Sequence, residues 1–207
     1  KNNANSTSFL SKYDAMIIPG GFGARGSEGK MVAANFARKN DMPYLGLCFG
    51  FQLAIVSFAR YACNLSEANS SELESKTPHP VIDLLPEQKG IKNMGATMRL
   101  GGIDVDIVED TLAYKLYNSS QIRERHRHRY EFNQKYIDQF RTNGMIFSGS
   151  SDNGKRMEIL EIPSHPFFVA VQYHPEFLSR PGFPEPVFRG LVSAAMNRRK
   201  SRIHRPA

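Results

Sequence analysis

The sequence contains only two cysteines, no apolar run long enough to cross a membrane, and no internal repeat or low-complexity block. Two cysteines in a chain of 207 residues exclude a disulfide scaffold and favour a reducing environment. The missing apolar run argues against a membrane protein. We therefore expect a cytoplasmic globular protein with no membrane partner.

Much of the net charge of +7 lies at the C-terminal end, in Arg198, Arg199, Lys200, Arg202 and Arg205. A basic patch can bind nucleic acid, but a short charged end is more often simply solvated, so we expect no nucleic-acid partner. The composition indicates a flexible segment over 1–12, one domain over 13–198 and a basic tail over 199–207. Because the chain begins with lysine rather than methionine, we also expect it to be a piece of a longer polypeptide.

The first half of the chain alternates short apolar runs with helical patterns. Apolar runs at 13–18 and 44–47 predict buried strands, and the patterns over 27–39 and 49–61 predict helices. This order is typical of an α/β domain with a parallel sheet. The later part is predicted to hold helices at 112–117 and 186–198, a hairpin of 97–102 with 103–108, and strands at 81–85, 145–147, 157–162 and 167–172.

Gly46-Leu47-Cys48-Phe49-Gly50 has the spacing of a nucleophile elbow, with cysteine in the position of serine. The two glycines let neighbouring backbone pass close by, so the turn can hold Cys48 in a strained conformation. The start of the following helix favours a thiolate there. The alternative is a buried cysteine at a strand end, since free cysteine is among the most buried residue types.

The glycine-rich stretch 21–26 fits the G-x-G-x-x-G spacing of dinucleotide-binding loops. Such loops also need an acid at the end of the second strand, but Asp41 precedes that strand and Cys48 ends it. Ligands of parallel sheets bind at the carboxyl ends of strands, so the turn at 19–21 and the N–H of Phe49 can instead stabilise an oxyanion beside the cysteine. A tight turn without a chemical role is the alternative.

A cysteine nucleophile needs a base, and the base needs an orienting group. His174 follows the predicted strand 167–172 and lies two residues before Glu176, with a proline fixing the backbone between them. Cys48, His174 and Glu176 therefore form a candidate catalytic triad. His79 and His165 each precede a proline, and we interpret them as structural.

Residues 122–131 alternate arginine with histidine or glutamate. An extended strand would place His126 and His128 on one face and four arginines on the other: Arg123, Arg125, Arg127 and Arg129. The arginines would depress protonation of the two imidazoles. One interpretation is an anion site for a carboxylate or phosphate, and the other is a solvated edge strand whose charges prevent aggregation.

Together these motifs resemble the class-I (triad-type) glutamine amidotransferase family, and within it the glutaminase domains of CTP synthases. The stretches that carry the resemblance are 19–29, 45–52, 68–72, 95–101, 124–131 and 172–181. The elbow and the His-Pro-Glu segment fit any member of the class, whereas 97–101 and 125–129 point to CTP synthases. The resemblance implies a mixed, mostly parallel central sheet with flanking helices, in a flavodoxin-like α/β architecture.

The resemblance also implies a role for each site residue. Cys48 would attack the side-chain amide of L-glutamine, and His174, oriented by Glu176, would protonate the departing ammonia. The oxyanion hole would be formed by the N–H groups of Gly21 and Phe49. Glutamine would be bound by Gly21, Phe49, Gly50, Phe51, Gln52, Glu72 and Arg129. A free amino acid offers an ammonium group for Glu72 and a carboxylate for Arg129.

The implied partner is a synthase (amidoligase) domain of the same polypeptide, which would use ATP, UTP and Mg²⁺, in a homotetrameric full-length enzyme. No cofactor or metal is expected in this domain, and GTP is expected as an activator acting near Arg25.

The sequence departs from the family in two respects. About eighteen residues precede the turn at 19–21, where the family has a further strand, helix and strand. Phe49 and Phe51 stand where most relatives have Leu and Met. Two rival hypotheses are a nucleotide-binding regulatory domain without chemistry and an RNA-binding protein.

Overall fold

The chain folds into two β-sheets with helices packed against them, and a computed structural model describes residues 7–84 and 98–203. The strands are β1 (Met16–Ile18), β2 (Tyr44–Leu47), β3 (Ala68–Ser70), β4 (His79–Asp83), β5 (Arg99–Ile107), β6 (Gln121–His128), β7 (Glu131–Phe132), β8 (Ile146–Ser151), β9 (Arg156–Glu161) and β10 (Phe168–Val171). The helices are α1 (Ser27–Lys39), α2 (Phe49–Tyr61), α3 (Leu112–Tyr117), α4 (Ile137–Thr142) and α5 (Pro186–Ile203).

The larger sheet has seven strands in the order β1-β2-β10-β9-β8-β5-β6, and the smaller has three in the order β3-β4-β7. In the larger sheet β2 pairs in parallel with both β1 and β10. The last strand in sequence therefore lies beside the strand that ends at Cys48. This neighbouring position brings the C-terminal third of the chain to the elbow.

The core has two parts, one on each face of the larger sheet. Successive residues of β2 and β10 alternate between them: Tyr44 and Phe168 pack with α1 and α2, whereas Leu45 and Val169 pack with α3 and α5. Helix α2 is buried without interruption from Phe49 to Ala59. A helix that is apolar on all sides must lie inside the fold, so the elbow is attached to the most deeply buried helix.

Several predicted elements are confirmed with their bounds: α1, β2, α2 and α3. The predicted hairpin of 97–102 with 103–108 is wrong, because 99–107 is one continuous strand that pairs with β6. Its glycine pair does not make a turn; instead, a Cβ on Gly102 would lie 3.0 Å from Nε of Arg123, so the glycine allows close approach of β6. Thr97 and Leu85, at ends of predicted strands, lie outside the described residues.

The two chain ends are more regular than the composition predicts. Ser8–Lys12 forms a 3₁₀ turn within the expected flexible segment, and α5 continues to Ile203, into the expected tail. Residues 1–6 and 204–207 lie outside the described part of the chain. Within the described ranges, we find no helix with the length and apolar character needed to cross a bilayer.

The expected mixed α/β architecture is confirmed, but parallel pairing covers less of the sheet than expected. In the larger sheet it is confined to β1, β2 and β10, whereas the pairs β10–β9, β9–β8, β8–β5 and β5–β6 are antiparallel. The strand–helix–strand order that predicts parallel pairing occurs only in the first half. Between β8 and β9 the chain turns through Asp152, Asn153 and Gly154, all with positive φ, and so short a connection requires antiparallel strands.

Candidate active site

Cys48 lies between β2 and α2 in a strained backbone conformation. Its φ of 48° and ψ of −99° fall outside the regions that non-glycine residues usually occupy. The N–H of Cys48 donates to the carbonyl of Val171 at 2.8 Å, and its Sγ lies 3.9 Å from the carbonyl oxygen of Arg127. The side chain is held at a strand end, as a nucleophile elbow requires.

The glycines on both sides of Cys48 are required by close backbone contacts. A Cβ on Gly46 would lie 2.7 Å from the carbonyl oxygen of Gly50, and a Cβ on Gly50 would lie 2.1 Å from that of Ile18. The hydroxyl of Tyr44 donates to the carbonyl of Gly50 at 3.0 Å. Only glycine fits either position, which confirms the predicted reason for the Gly-x-Cys-x-Gly spacing.

His174 lies beside Cys48 and is oriented by Glu176. Nδ1 of His174 lies 2.6 Å from Oε1 of Glu176, and a Cβ placed on Gly20 would lie 3.0 Å from Cε1 of His174 and 3.7 Å from Cβ of Cys48. The ring of Phe177 stacks on the imidazole, with 5.0 Å between centroids. The structure therefore brings the three predicted triad residues together.

The electrostatics of the triad favour a protonated imidazole. The pKa of His174 is raised to about 9. The main cause is its interaction with Cys48, the second is the hydrogen bond with Glu176, and burial opposes both. Burial alone would raise the pKa of the Glu176 carboxyl, but the hydrogen bond to His174 leaves it below its ordinary value. Nε2 of His174 is buried and has no aligned hydrogen-bond partner among the described residues, so its contact with Cys48 is looser than a formed hydrogen bond.

The two residues predicted to supply the oxyanion donors are neighbours in the fold. Phe49 is the first residue of α2, so no carbonyl of a preceding helical turn accepts its N–H. A Cβ on Gly21 would lie 3.7 Å from Cδ1 of Phe49. The role of these two N–H groups as an oxyanion hole stays a prediction.

The predicted glutamine-binding residues of α2 are buried. Phe51 and Gln52 are at most 3% exposed, and Nε2 of Gln52 donates to the carbonyl of Tyr130 at 3.1 Å and to Oε1 of Gln172 at 3.2 Å. Gln52 therefore ties α2 to the segment after β6 and to the end of β10. This arrangement indicates a supporting position for its side chain; a direct contact of Gly50, Phe51 or Gln52 with glutamine stays a prediction.

The two predicted charged anchors lie near one tyrosine. Glu72 accepts the N–H of Gly23 at 3.4 Å, which attaches it to the glycine-rich loop. The pKa of the Tyr130 phenol is raised, and burial is the largest cause. The charge of Glu72 raises this pKa further, whereas the charge of Arg129 lowers it. Both charges are thus within electrostatic reach of Tyr130, whose carbonyl contacts Gln52 of the elbow helix. Their binding of glutamine stays a prediction.

The arginine strand has the predicted alternation. Three arginines of β6 are exposed, whereas Glu124, His126 and His128 are buried. The pKa of His128 is lowered to about 3, and burial rather than the exposed arginines is the main cause, which corrects the expectation from sequence. Strand β6 lies at the sheet edge, and Arg123 pairs with Asp104 at 2.8 Å, so the solvated-edge interpretation holds for that residue.

Two features of the site were missed from sequence. The backbone of β6 forms a wall of the site, because the carbonyl of Arg125 accepts the N–H of His174 at 2.8 Å and the carbonyl of Arg127 faces Cys48. The ring of Phe177 covers the imidazole of His174. Its position directly after His-Pro-Glu is a signal that was present in the sequence, whereas no local pattern predicts which strand approaches the elbow.

One group of side chains has the composition of a metal site. Single ligand atoms of His126, His128 and Glu158 lie within 4.8 Å of one another, and it is the only such group among residues 7–84 and 98–203. Oε1 of Glu158 is already bonded to Nη1 of Arg99 at 2.7 Å. Its Oε2 lies 2.9 Å from Nε2 of His126, so both oxygens of the carboxylate already have a side-chain partner.

Comparison with known proteins gives consistent similarities. The sequence model of the class-I glutamine amidotransferases matches residues 1–194. A CTP synthase of Archaeoglobus fulgidus is 58% identical over 95% of this chain and 37% of its own length, and one of Staphylococcus saprophyticus is 52% identical over 96% and 37%. The solved glutaminase domain of Trypanosoma brucei CTPS with bound acivicin has a TM-score of 0.89 and 39% identity, over 95% of this chain and 76% of that one. The chain spans little more than a third of the curated relatives' length.

Proposed function

The chain belongs to the class-I glutamine amidotransferase family, and on that premise we propose that it hydrolyses L-glutamine to glutamate and ammonia. The observation that carries this proposal is the triad itself: a cysteine on a strained elbow beside a histidine that a carboxylate orients at 2.6 Å. A structural cysteine needs neither the strain nor the oriented base.

The first half of the reaction forms a thioester. The Cys48 thiolate attacks the side-chain carbonyl carbon of glutamine, and the carbonyl oxygen becomes an oxyanion that accepts the N–H groups of Gly21 and Phe49. His174 is protonated at neutral pH, since its pKa is raised to about 9, so it can give its proton to the departing amide nitrogen. The C–N bond breaks and ammonia leaves. Each oxyanion donor is worth on the order of 10²–10³ in rate.

The second half returns the enzyme to its starting state. His174 has lost its proton and now removes one from water, and the hydroxide attacks the thioester carbon. The C–S bond breaks, glutamate is released, and the thiolate and imidazolium form again. Glu176 keeps the proton on Nδ1 throughout, so the other ring nitrogen serves as acid and then as base.

Recognition of a free amino acid requires opposite charges at the two ends of its α-carbon. We assign the ammonium of glutamine to Glu72 and its carboxylate to Arg129, which both influence Tyr130. The glycine-rich loop completes the pocket, with Gly21 against Phe49 and Gly23 against Glu72. Glycine keeps this loop thin enough for its backbone to approach the substrate.

The similarity to CTP synthases supports a further step in the whole protein. We propose that the ammonia is used by a separate synthase domain of the same polypeptide for the ATP- and Mg²⁺-dependent amination of UTP to CTP. GTP would stimulate the hydrolysis near Arg25, and the full-length enzyme would be a cytoplasmic homotetramer. The exposed position of Arg25 on the loop beside the triad is compatible with that role.

The first prediction concerns the nucleophile. Cys48→Ala is expected to abolish ammonia release from glutamine, because no other group in the site can form the thioester, and to prevent labelling by a diazoketone analogue of glutamine. Cys63→Ala is the matched control, since Cys63 is equally buried and its thiol faces the carbonyl of Gln139. Mass spectrometry of the labelled protein locates the adduct. An adduct on Cys63, or ammonia release that survives Cys48→Ala, would remove the basis of the proposal.

A further inference from the structure

The edge strand β6 holds both reactive residues of the triad through its backbone. Its Arg125 carbonyl accepts the N–H of His174, and its Arg127 carbonyl lies 3.9 Å from Sγ of Cys48. Among the described strands, β6 pairs with β5 alone. The backbone hydrogen bonds to β5 do not fix the distance between β6 and the triad. The side chains on the buried face of β6 must therefore fix it.

His126, on the buried face of β6, has an acceptor at each ring nitrogen. Nδ1 lies 3.1 Å from the carbonyl oxygen of Glu124, and Nε2 lies 2.9 Å from Oε2 of Glu158. A neutral imidazole has one N–H only, so it can satisfy one of these acceptors. Hydrogen bonds to both acceptors would need a proton on each ring nitrogen, because both acceptors are oxygens.

The carboxyl group of Glu158 does not supply the proton of its hydrogen bond with Nε2 of His126. Its Oε1 accepts from Nη1 of Arg99 at 2.7 Å and from Oγ of Ser151 at 2.6 Å. Burial alone would raise the pKa of Glu158, but the hydrogen bond and charge of His126, with that of Arg99, outweigh burial and hold it well below its ordinary value. The carboxylate is therefore ionised, and it lies between the guanidinium of Arg99 and the ring of His126.

His128, two residues further along the same face, is the opposite case. Its Nδ1 lies 3.2 Å from the carbonyl oxygen of Tyr130, and its Nε2 has no hydrogen-bond partner in the described part of the chain. One N–H satisfies this ring, so it is neutral. Both histidines are buried, and they differ in whether a carboxylate faces Nε2, since the carboxylate near His128, that of Glu131, lies 3.6 Å from Nδ1.

We propose that His126 is a positioning residue of the proposed glutaminase. Its imidazolium binds Glu158 of β9 and so fixes the distance between β6 and the triad. The carbonyls of Arg125 and Arg127 are thereby held in position against His174 and Cys48. The charged groups around the ring are Glu158 of β9 and Arg99 of β5, which is bonded to that carboxylate, and the neutral His128 lies next to it on β6. The ring of Tyr173, which precedes His174, packs on His126 with 5.9 Å between centroids. His126 thus contacts the segment that carries the base as well as the strand that faces the nucleophile.

The test compares two matched substitutions. In His126→Asn and in His128→Asn the amide nitrogen can replace Nδ1–H and keep the bond to the backbone carbonyl. Only His126→Asn removes a contact made by Nε2. We expect kcat for glutamine hydrolysis to fall about 10- to 100-fold in His126→Asn with a smaller change in KM, because small misplacements of reacting groups have effects of this size. His128→Asn is expected to stay within about threefold of the unchanged protein.

Two readouts separate this proposal from the proposed function on which it rests. Side-chain NMR of ¹⁵N-histidine-labelled protein at pH 7.5 is expected to show two protonated nitrogens for His126 and one for His128. The rate at which iodoacetamide alkylates Cys48 needs no glutamine and is expected to fall in His126→Asn only. If the unchanged protein releases no ammonia but these two results hold, the positioning inference stands and the glutaminase proposal fails.

Three outcomes would overturn the inference. The first is a neutral His126 in the NMR spectrum, and the second is equal alkylation and equal kcat in the two variants. The third is about one equivalent of bound metal in the purified protein, with metal-shifted Nε2 signals from both histidines, which would make the group of His126, His128 and Glu158 a metal site. If His126→Asn does not fold, the NMR spectrum of the unchanged protein still decides the charge. Glu158→Gln then tests the contact from its other side, with the same expected loss of alkylation.

Discussion

At the scale of single residues, the triad works through the pKa of one imidazole. Contact with Cys48 and the bond to Glu176 raise the pKa of His174 to about 9, so the ring holds its proton over the neutral range. In the proposed reaction, a protonated histidine is the form that can deliver a proton to the departing amide nitrogen, which leaves as ammonia. The same shift links activity to pH, because deprotonation of His174 above about pH 9 removes the acid and the thiolate's partner together.

This link gives a prediction for Glu176→Gln. An amide cannot stabilise the imidazolium as a carboxylate does, so the pKa of His174 moves down towards its ordinary value. The alkaline limb of the pH profile of kcat/KM for glutamine is expected to shift from about pH 9 to lower pH, and the rate at pH 8 to fall by about 10- to 100-fold. Glu109→Gln removes an exposed carboxylate and is the control. An alkaline limb that does not move in Glu176→Gln would show that this hydrogen bond does not set the pKa.

At the scale of elements, the site depends on how closely β2, α2 and β1 approach one another. The backbone of Gly50, in the first turn of α2, passes the carbonyl of Ile18 at the end of β1. The turn that follows Ile18 carries Gly20 and Gly21, which adjoin His174 and Phe49. Any separation of these two elements therefore displaces the loop that completes the pocket.

Gly50→Ala tests this approach. The new Cβ would lie 2.1 Å from a backbone oxygen that cannot rotate away, so α2 or β1 must shift. We expect a loss of about 1–3 kcal/mol in the free energy of unfolding, as in other overpacked interiors, together with loss of glutamine hydrolysis. Gly29→Ala, in α1, has no atom within 4 Å of the new Cβ and is expected to be neutral or stabilising by up to about 1 kcal/mol. Urea unfolding of both variants measures the difference, and equal stability would contradict it.

The elements also show what the sequence can predict and why. Helix α1 begins directly after Gly26, helix α2 begins directly after Cys48, and strand β2 lies between Pro43 and Cys48, so these bounds are predictable from local pattern. The pair Gly101-Gly102 is ambiguous, because glycine marks a turn in one context and a close approach between strands in another. The structure shows the second case, which depends on a partner strand that begins nineteen residues after the pair, at Gln121.

The same distinction applies to the site. His174 and Glu176 are two residues apart, and the elbow is a single pentapeptide, so local sequence contains the chemistry of the triad. The wall formed by β6 depends on contacts between residues far apart in sequence, such as Arg127 with Cys48, and no local pattern encodes them. The alternation on β6 predicts which side chains are buried, but not that His126 meets a carboxylate of β9.

At the scale of the whole molecule, the order of strands brings two segments that are far apart in sequence to one site. Strand β10 lies between β2 and β9, so Cys48 after β2 and His174 after β10 emerge side by side at the carboxyl ends of parallel strands. The antiparallel half of the sheet then turns β6 back across this edge. Its buried polar face includes Glu124, whose pKa burial raises to about 8, and His128, whose pKa burial lowers to about 3, so the interior beneath the site is sensitive to pH.

The last prediction follows from the buried neutral His128. Burial lowers its pKa to about 3, whereas in the unfolded chain the imidazole protonates below about pH 6.5. Between these values the unfolded state binds more protons, so the free energy of unfolding falls by up to about 1.4 kcal/mol per pH unit as the pH is lowered from 6.5 towards 3.

The variant His128→Asn removes this contribution, while the ionisable neighbours His126, Glu131 and Glu158 remain in both proteins. Urea unfolding at pH 7 and pH 4.5 is expected to show a loss for the unchanged protein that exceeds the loss for the variant by about 1–3 kcal/mol. Parallel curves for the two proteins would mean that His128 titrates normally, and that the interior beneath the site admits a proton at mildly acidic pH.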